Sequence, residues 1–304
     1  MRNALLLSAL VILASGGFVA SVNAQSSADI ALLDSANTAR FMKYWYSPAC
    51  AAPSFYLAEE YKRYFLGWKW MLMDERFSYQ VIEDKDVTLS GLANYKVLIL
   101  SNTALLSDEQ SRAVHQWVIR GGRLLATFGS GYRDLASDPR QQDGWKQQKG
   151  GTFGLHQLWH DPVGKAFSTY WIDAGVDVKI TRYEGPTAGL QDLDILPLKN
   201  DVLPYGAEAN LLINRPANHP DVLAFLIIDN PDWKANSPAI ISTRQGKGLV
   251  VYFAFAPEYL VYKELEGSQD LPQGWPSCPD GQSWVGRGQQ VWPLMVDTVR
   301  FLLQ

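Results

Sequence analysis

The chain has 304 residues, of which 47% are hydrophobic and 12% aromatic, with 27 basic and 31 acidic side chains and a formal net charge of −4. This length suits one α/β domain with an insertion. The mild negative charge argues against nucleic acid or an anionic membrane as a partner.

The first 24 residues are predicted to be a secretory signal peptide. Arg2 supplies a positive charge, an apolar stretch runs from Ala4 to Ala14, and Val22 and Ala24 occupy the small-residue positions of a cleavage site. An uncleaved membrane anchor is the alternative, but the apolar stretch is shorter than the roughly 20 residues that span a bilayer. We expect an exported protein, periplasmic or extracellular, with a mature chain that starts near Gln25. Because Arg2 is the only charge removed, 26 basic and 31 acidic residues remain, a net charge of −5.

Two cysteines are present, Cys50 and Cys278. In an oxidising compartment we expect them to form a disulfide. Chain-entropy arguments give such a long loop roughly 4–5 kcal/mol of stabilisation. The alternative is that one of them is a reactive thiol, but neither follows a buried strand or opens a helix, so the local sequence offers nothing to lower a thiol pKa.

The first half of the chain alternates predicted strands and helices. The apolar run Asp29–Asp34 predicts a buried strand, followed by a loop to about Pro53. Apolar residues at spacings of three and four between about 57 and 75 predict an amphipathic helix. Tyr79–Ile82 predicts a second strand, and Tyr95–Leu100 is a continuous apolar run typical of a buried parallel strand. The buried stripe of the helix is expected to contain Tyr61, Tyr64, Phe65, Trp68 and Leu72.

The next helix carries clear start and stop signals. Ser107 and Gln110 form a capping box, and Gly121 and Gly122 end the helix. Arg123–Phe128 then predicts another buried strand, which leads into a glycine-rich turn. Strand, helix and strand with short connections form a βαβ unit, so these strands are expected to be parallel.

The second half is less regular. Abundant Pro, Gly and Asn between about 135 and 222 predict an insertion with short strands, after which Val222–Ile228 resumes strand character. Ala239–Arg244 and Leu249–Phe255 flank a glycine-bearing turn and predict a hairpin. Pro293 suits the first turn of a final helix.

The segment from Asp74 to Asp134 resembles the class I glutamine amidotransferase-like superfamily and, more narrowly, the trimerisation domain of one family of β-galactosidases. The matching segments are Tyr95–Leu100, Leu106–Gln110, Gly121–Thr127 and Gly246–Phe253. The resemblance implies an α/β fold, a flavodoxin-like three-layer sandwich with a mostly parallel central sheet and an irregular insertion. We therefore expect a signal peptide at 1–24 and a single amidotransferase-like domain at 25–304, with the insertion at about 135–222.

Active members of that superfamily use a cysteine nucleophile on a sharp turn after a strand, together with a histidine and a carboxylate from a late strand. The resemblance puts Gly129 at the nucleophile position, with Ser130 and Gly131 after it. The late His-Pro-Glu of the superfamily has Ala256 in place of its histidine, while Glu258 is retained. Two triad members are thus absent, and a carboxylate alone cannot move a proton to and from a nucleophile.

Polar residues that follow predicted strands are the candidates for ligand contacts, because the carboxyl ends of parallel strands line the ligand crevice of an open sheet. They are Asp34, Asp84, Asp86, Asn102 and Glu258. Asn102 and the turn Gly129–Gly131 are predicted to bind ligand. The candidate catalytic residues are Glu258 and Asp34, as part of a carboxylate pair, and Ser130, as a displaced nucleophile that lacks the flanking glycines of a hydrolase elbow. A structural, hydrogen-bonded role is the alternative for each.

Two further residue types are candidate site residues. Trp45 and Trp284 lie in predicted loops and are candidates for stacking on a sugar ring, with burial in the core as the alternative. His156 and His160 have a spacing that suits zinc, but Gln157 stands where the protease signature needs glutamate, and a partly exposed helix is the alternative. No metal and no cofactor are expected.

The sequence therefore predicts a noncatalytic binding or assembly protein, linked to carbohydrate use, with a small polar ligand or a carbohydrate as partner. A homo-oligomer stays open, because the resembling β-galactosidase domain supports oligomerisation. Nucleic acid is not expected as a partner, nor is a membrane after signal cleavage. The alternative is a hydrolase that acts on a sugar or a small polar substrate through the carboxylates at the strand ends.

Overall fold

A computed structural model describes residues 28–42, 56–127, 130–131, 133–134, 155, 169–170, 176–196, 205–206, 221–228, 237–268 and 287–304. The strands in this part of the chain are β1 Ile30–Asp34, β2 Tyr79–Glu83, β3 Val97–Leu100, β4 Leu105–Leu106, β5 Arg123–Thr127, β6 Arg133–Asp134, β7 Thr169–Tyr170, β8 Val176–Ile180, β9 Ile195–Leu196, β10 Tyr205–Gly206, β11 Val222–Ile228, β12 Ser237–Gln245 and β13 Gly248–Phe253. The α-helices are α1 Ala36–Met42, α2 Tyr56–Asp74, α3 Leu89–Leu92, α4 Asp108–Ile119, α5 Pro257–Ser268 and α6 Arg287–Leu303. Short 3-10 helices cover Asp84–Asp86 and Gly185–Leu190.

A nine-stranded sheet with the order β2-β1-β3-β5-β13-β12-β11-β8-β9 forms the centre of the described structure. Its first five strands pair in parallel, and the other four extend the sheet by antiparallel pairing. Numbered among themselves, the five parallel strands have the order 2-1-3-4-5 of flavodoxin-like sheets. The predicted α/β, flavodoxin-like fold class is confirmed.

The parallel strands are apolar because both of their faces are covered. Every residue of Ile30–Leu33 and Val97–Leu100 is fully buried. Helix α2 packs against α1 and α5, and α5 packs against α6, so these helices form one layer. Helix α2 connects β1 to β2, and α4 connects β3 to β5, which lies in the opposite direction across the sheet. Right-handed crossovers therefore place these two helices on opposite faces of the sheet.

The predicted helices and the hairpin are confirmed with small changes of boundary. Helix α2 buries the whole predicted stripe from Tyr61 to Leu72. At the start of α4, the Gln110 backbone N–H donates to Ser107 Oγ at 3.2 Å, and the Ser107 N–H donates to Gln110 Oε1 at 2.8 Å. Strands β12 and β13 form the hairpin, with Gly246 in its turn at a φ of +60°.

Two local predictions were wrong. Residues 36–42, predicted as part of a loop, form α1. Pro293 does not open the last helix but lies inside α6, which starts at Arg287. Strands β8 and β9 lie inside the predicted insertion but join the main sheet through β11. Sequence periodicity did not detect that pairing, because it depends on contacts between distant segments.

Within the described ranges, no helix has the length and apolar character needed to cross a membrane.

Candidate ligand-binding site

Residues that directly follow the parallel strands meet at the carboxyl edge of the sheet. Ser101, Asn102 and Thr103 follow β3, Thr127 ends β5, and Glu258 lies in the first turn of α5, after β13. All five side chains are buried. We call these five residues the edge cluster.

Glu258 is the fully buried centre of the edge cluster. Its Oε1 accepts hydrogen bonds from the hydroxyls of Thr127, at 2.5 Å, and Ser101, at 3.3 Å. Burial raises the pKa of Glu258 from its ordinary value of 4.5 to about 8, while the donors on Thr127, its own backbone, Ser101 and Trp68 pull it down. At neutral pH the side chain is therefore mostly an uncharged carboxylic acid.

Close packing between α2 and α5 holds Glu258 in place. Gly67 of α2 lies so near the first turn of α5 that a Cβ there would be 2.0 Å from the Glu258 carbonyl oxygen. The Tyr64 and Tyr259 rings, one from each helix, pack with centroids 5.2 Å apart. A glycine at position 67 lets the two backbones approach, and this approach positions Glu258 beneath the strand ends.

Asn102 adopts an unusual backbone conformation, with a φ of +41°. This left-handed region is costly for most residues but is tolerated by Asn. The Asn102 backbone N–H donates to Thr127 Oγ1 at 3.0 Å, and the Thr127 hydroxyl in turn donates to Glu258. One chain of hydrogen bonds thus joins the residues after β3, the end of β5 and the start of α5.

The turn after β5 is tied to the turn after β3. The Ser130 hydroxyl donates to the Leu100 carbonyl at 2.9 Å and accepts from the Thr103 backbone N–H at 3.1 Å. The Gly131 N–H donates to the Thr103 carbonyl at 2.8 Å, and Gly131 has a φ of +71°. Ser130 is buried, and its hydroxyl is committed to these backbone contacts.

Several side-chain atoms of this region are buried without a hydrogen-bond partner in the described structure. They are Nδ2 and Oδ1 of Asn102, Oε2 of Glu258, Nε1 of Trp68 and Oγ1 of Thr103, the last of which lies near enough to the Tyr61 hydroxyl to oppose the rise in the pKa of Tyr61. Trp68 belongs with the cluster because its indole is among the groups that lower the pKa of Glu258, although it falls outside hydrogen-bonding geometry. Most buried polar atoms in proteins have a partner, so such a concentration indicates that something else supplies the hydrogen bonds.

A second polar group lies after β1 and β2. Lys62 Nζ contacts both carboxylate oxygens of Asp34, at 2.6 and 2.7 Å, with both side chains partly exposed. Asp84 Oδ2 accepts from the Asn37 backbone N–H at 2.9 Å. Burial raises the pKa of Asp84; hydrogen bonds from Asn37 and Ser35 oppose the rise, and the Asp34 charge adds to it. Asp34 and Asp84 are therefore electrostatic neighbours.

The structure brings together part of the residues predicted from the sequence. Asn102, Ser130, Gly131 and Glu258 meet at the carboxyl edge, whereas Asp34 pairs with Lys62. The other predicted site residues lie outside the described residues: Gly129, Trp45, Trp284, His156, His160, Cys50 and Cys278. The predicted signal peptide at 1–24 lies outside them as well. In the described part of the chain, no group of three His, Cys, Asp or Glu side chains is placed to hold a metal.

Sequence reasoning missed Ser101, Thr103 and Thr127 as site residues and assigned Trp68 only to the core. Their positions in the sequence could have identified them, because Ser101 and Thr103 flank Asn102 and Thr127 ends a predicted strand. Trp68 is fully buried as predicted, but its indole nitrogen is also one of the unpartnered atoms.

Two open clefts lie away from the edge cluster. One, of about 510 Å³, is lined by Lys96 and Arg123 at the amino ends of β3 and β5. The other, of about 520 Å³, is lined by Arg244 and Leu249 at the β12–β13 turn side. Neither lining includes a buried polar atom that lacks a partner. The unpartnered polar atoms therefore favour the carboxyl edge as the ligand-binding site.

The sequence matches no protein-family model and no curated protein. Among solved structures, the fold is similar to a ThuA-like protein from Bacteroides uniformis, at 13% identity and a TM-score of 0.50, over 93% of this chain and 94% of that one. It is also similar to β-galactosidases from Rahnella sp. R3 (17% identity, TM-score 0.49, 81% of this chain and 32% of that one) and from Bacillus circulans sp. alkalophilus (15% identity, TM-score 0.48, 82% and 32%). The chain thus spans about a third of the length of these β-galactosidases.

At such identities the likeness concerns the fold alone. The strand order of the parallel sheet and the likeness to the Bacteroides protein over nearly the whole of both chains agree. The protein has an α/β, flavodoxin-like fold.

Proposed function

We propose that this chain is an exported, noncatalytic protein that binds a small polar ligand at the carboxyl edge of its parallel sheet, in a role linked to carbohydrate use. The observation that carries the proposal is the set of buried, unpartnered polar atoms on Asn102, Thr103 and Glu258.

The energetic argument is that unpartnered polar atoms are expensive. Each buried donor or acceptor without a partner costs about 1–3 kcal/mol of desolvation. The edge cluster alone holds four such atoms, on three residues that are at most 1% exposed. A ligand that hydrogen-bonds to them recovers this cost, so the free protein is arranged to favour binding.

The proposal that the protein is noncatalytic is supported by the residues at the predicted nucleophile and base positions. The Ser130 hydroxyl is held by two backbone groups, and Ala256 has no imidazole to offer. Of the four histidines, His115 is the one in the described ranges, and it lies on α4. Glu258 holds its proton at neutral pH, so it is a poor nucleophile.

Export and the carbohydrate link rest on the sequence. The charged, apolar and small-residue regions before Gln25 support export, and the resemblance to a β-galactosidase domain supports the carbohydrate link. N-terminal sequencing of the protein recovered outside the cytoplasm tests the first point. A mature terminus at Gln25 is expected, and a cytoplasmic protein that keeps Met1 would contradict export.

A hydrolase remains the second candidate, because Asp34 and Asp84 are neighbouring carboxylates at the strand ends. A pair of carboxyls, one of them with a raised pKa, is the arrangement used by glycosidases. Chromogenic glycosides test this reading. Turnover that Asp84→Asn abolishes and Ser90→Ala leaves intact would favour the hydrolase.

Binding is tested by ligand-dependent stabilisation, since a ligand raises the melting temperature of the state that it binds. The purified protein is screened against sugars, polyols and amides, with Asn102→Gly as the diagnostic variant. Glycine keeps the left-handed backbone and removes the amide. Arg76→Gly is the matched control, because Arg76 is exposed and also left-handed, with a φ of 56°.

We expect a ligand that stabilises the wild type and Arg76→Gly but not Asn102→Gly. Equal stabilisation of all three proteins would place the site elsewhere. No stabilisation by any compound would contradict the proposed function and leave the polar atoms to ordered water.

A further inference from the structure

The unpartnered atoms near Glu258 include both donors and acceptors. Trp68 Nε1 and Asn102 Nδ2 can only donate, Asn102 Oδ1 can only accept, and the Thr103 hydroxyl can do either. A ligand that satisfies this set must itself offer both kinds of group.

Charged ligands meet only half of that requirement. A sulfate or carboxylate group accepts hydrogen bonds but gives none to Asn102 Oδ1. An ammonium group donates but accepts nothing from the Trp68 indole or the Asn102 amide. Hydroxyl and primary amide groups do both.

The charged side chains around the edge cluster also favour an uncharged ligand. On α2, Lys62 is already bonded to both oxygens of Asp34, and Arg63 is buried and has an interaction partner of its own. On α6, which packs against α5, Arg300 contacts Glu75 at 3.3 Å and Asp297 at 4.0 Å.

At the α2–α5 contact the phenol rings of Tyr64 and Tyr259 pack on each other, and Tyr61 and Tyr262 of the same two helices are also fully buried. In the turns after β3 and β5, the side chains that the structure describes, those of Ser101, Asn102, Thr103, Thr127 and Ser130, are all neutral. Among the side chains that the structure describes at this edge, none is thus a free counterion for an anionic ligand, and burying a charge without one is far more costly than burying a hydroxyl.

The two carboxyl oxygens of Glu258 have different roles in this set of donors and acceptors. Oε1 accepts from two hydroxyls, which leaves Oε2 as the position for a proton. Protonated there, the carboxyl is one more buried donor without an acceptor.

We infer that the ligand is uncharged and carries hydroxyl or amide groups, and that Glu258 binds it as a neutral acid that donates from Oε2. This inference rests on the proposed binding function and deepens it. It makes Glu258 a binding residue, and it makes binding compete with ionisation of the same carboxyl.

The first test compares ligands that differ only in charge. Glucose, mannose and galactose are titrated calorimetrically at pH 6.5, each beside its uronic acid and its 2-amino form. We expect at least one neutral sugar to bind and its charged counterparts to bind at least about tenfold more weakly. Tighter binding of a uronate or amino sugar, lost in Asn102→Gly, would leave the binding function standing and overturn the inference.

The second test uses pH and two variants of Glu258. If only the neutral acid binds, affinity for the neutral sugar should be about tenfold lower at pH 9 than at pH 7, since half of the carboxyl ionises near pH 8. Glu258→Gln keeps a donor and should bind without this pH dependence, whereas Glu258→Leu should not bind. Circular dichroism and the melting temperature show whether each variant is folded.

The outcomes separate the two claims. Binding by wild type that does not change between pH 7 and pH 9 overturns the role of Glu258 alone. Failure of every neutral, anionic and cationic sugar to bind, together with no stabilisation by the polyols and amides, contradicts the proposed function and the inference with it.

Discussion

The Thr127 hydroxyl donates a 2.5 Å hydrogen bond to Oε1 of Glu258, so the end of β5 is joined to the first turn of α5. The same oxygen of Thr127 accepts from the Asn102 backbone N–H at 3.0 Å. A single threonine therefore links the two turns that form the carboxyl edge. The consequences for stability can be measured without knowing the ligand.

The first prediction concerns pH. The unfolded Glu258 ionises near its ordinary pKa of 4.5, whereas the folded carboxyl keeps its proton until about pH 8. Between these values the folded state binds more protons, so the free energy of unfolding falls as pH rises, by up to about 1.4 kcal/mol per pH unit from this group. The contribution is fully present below pH 4.5 and is lost above pH 8.

Urea unfolding from pH 5 to 9 measures this slope. Glu258→Gln should remove it, since an amide does not titrate. If wild type and Glu258→Gln lost stability with pH in parallel, the carboxyl would be ionised in the folded protein and its burial would not control its protonation.

The second prediction concerns the backbone of Asn102. At a φ of +41°, Asn102→Ala should be about 1–2 kcal/mol less stable than Asn102→Gly, because a left-handed backbone penalises a Cβ. Arg76→Ala and Arg76→Gly form the matched pair, since Arg76 has a φ of 56° and lies on the surface. Equal stability of the two Asn102 variants would mean that the turn relaxes to another conformation.

The third prediction concerns the contact of α2 with α5. Replacing a helical glycine by alanine usually stabilises a helix by about 0.5–1 kcal/mol. Gly67→Ala should instead destabilise by more than about 2 kcal/mol, since its Cβ would lie 2.0 Å from the Glu258 carbonyl oxygen. Met73→Ala, at a half-exposed position of the same helix, should change stability by less than about 0.5 kcal/mol. A stabilised Gly67→Ala would show that the helices lie further apart.

The fourth prediction concerns Ser130. Ser130→Ala leaves the Thr103 N–H and the Leu100 carbonyl without the hydroxyl that they share. We expect a loss of about 1–3 kcal/mol in the free energy of unfolding. Ser90→Ala, on the exposed side of α3, is the control and should change little. A fully stable Ser130→Ala would mean that water replaces the hydroxyl, and would reopen the question of a reactive role.

The sequence was most informative where structure is local. The spacing of apolar residues located α2 and its buried stripe, and the capping box of Ser107 and Gln110 located the start of α4. It was least informative around residues 36–42 and Pro293, because flanking packing overrides local preference there. Strands β8 and β9 could not be assigned to the main sheet, since pairing with β11 depends on residues far apart in the chain.

The sequence by itself determined that the chain folds as an α/β protein and that polar residues follow its buried strands, because periodicity and residue type report these features directly. Only the tertiary structure decided what those polar residues do. The Ser130 hydroxyl joins two backbone groups, and Glu258 is a buried acid. The hydrogen-bond partners of a side chain and its removal from water are set by segments that meet only on folding. The same contacts left Asn102 and Thr103 with atoms that only a ligand or water can satisfy.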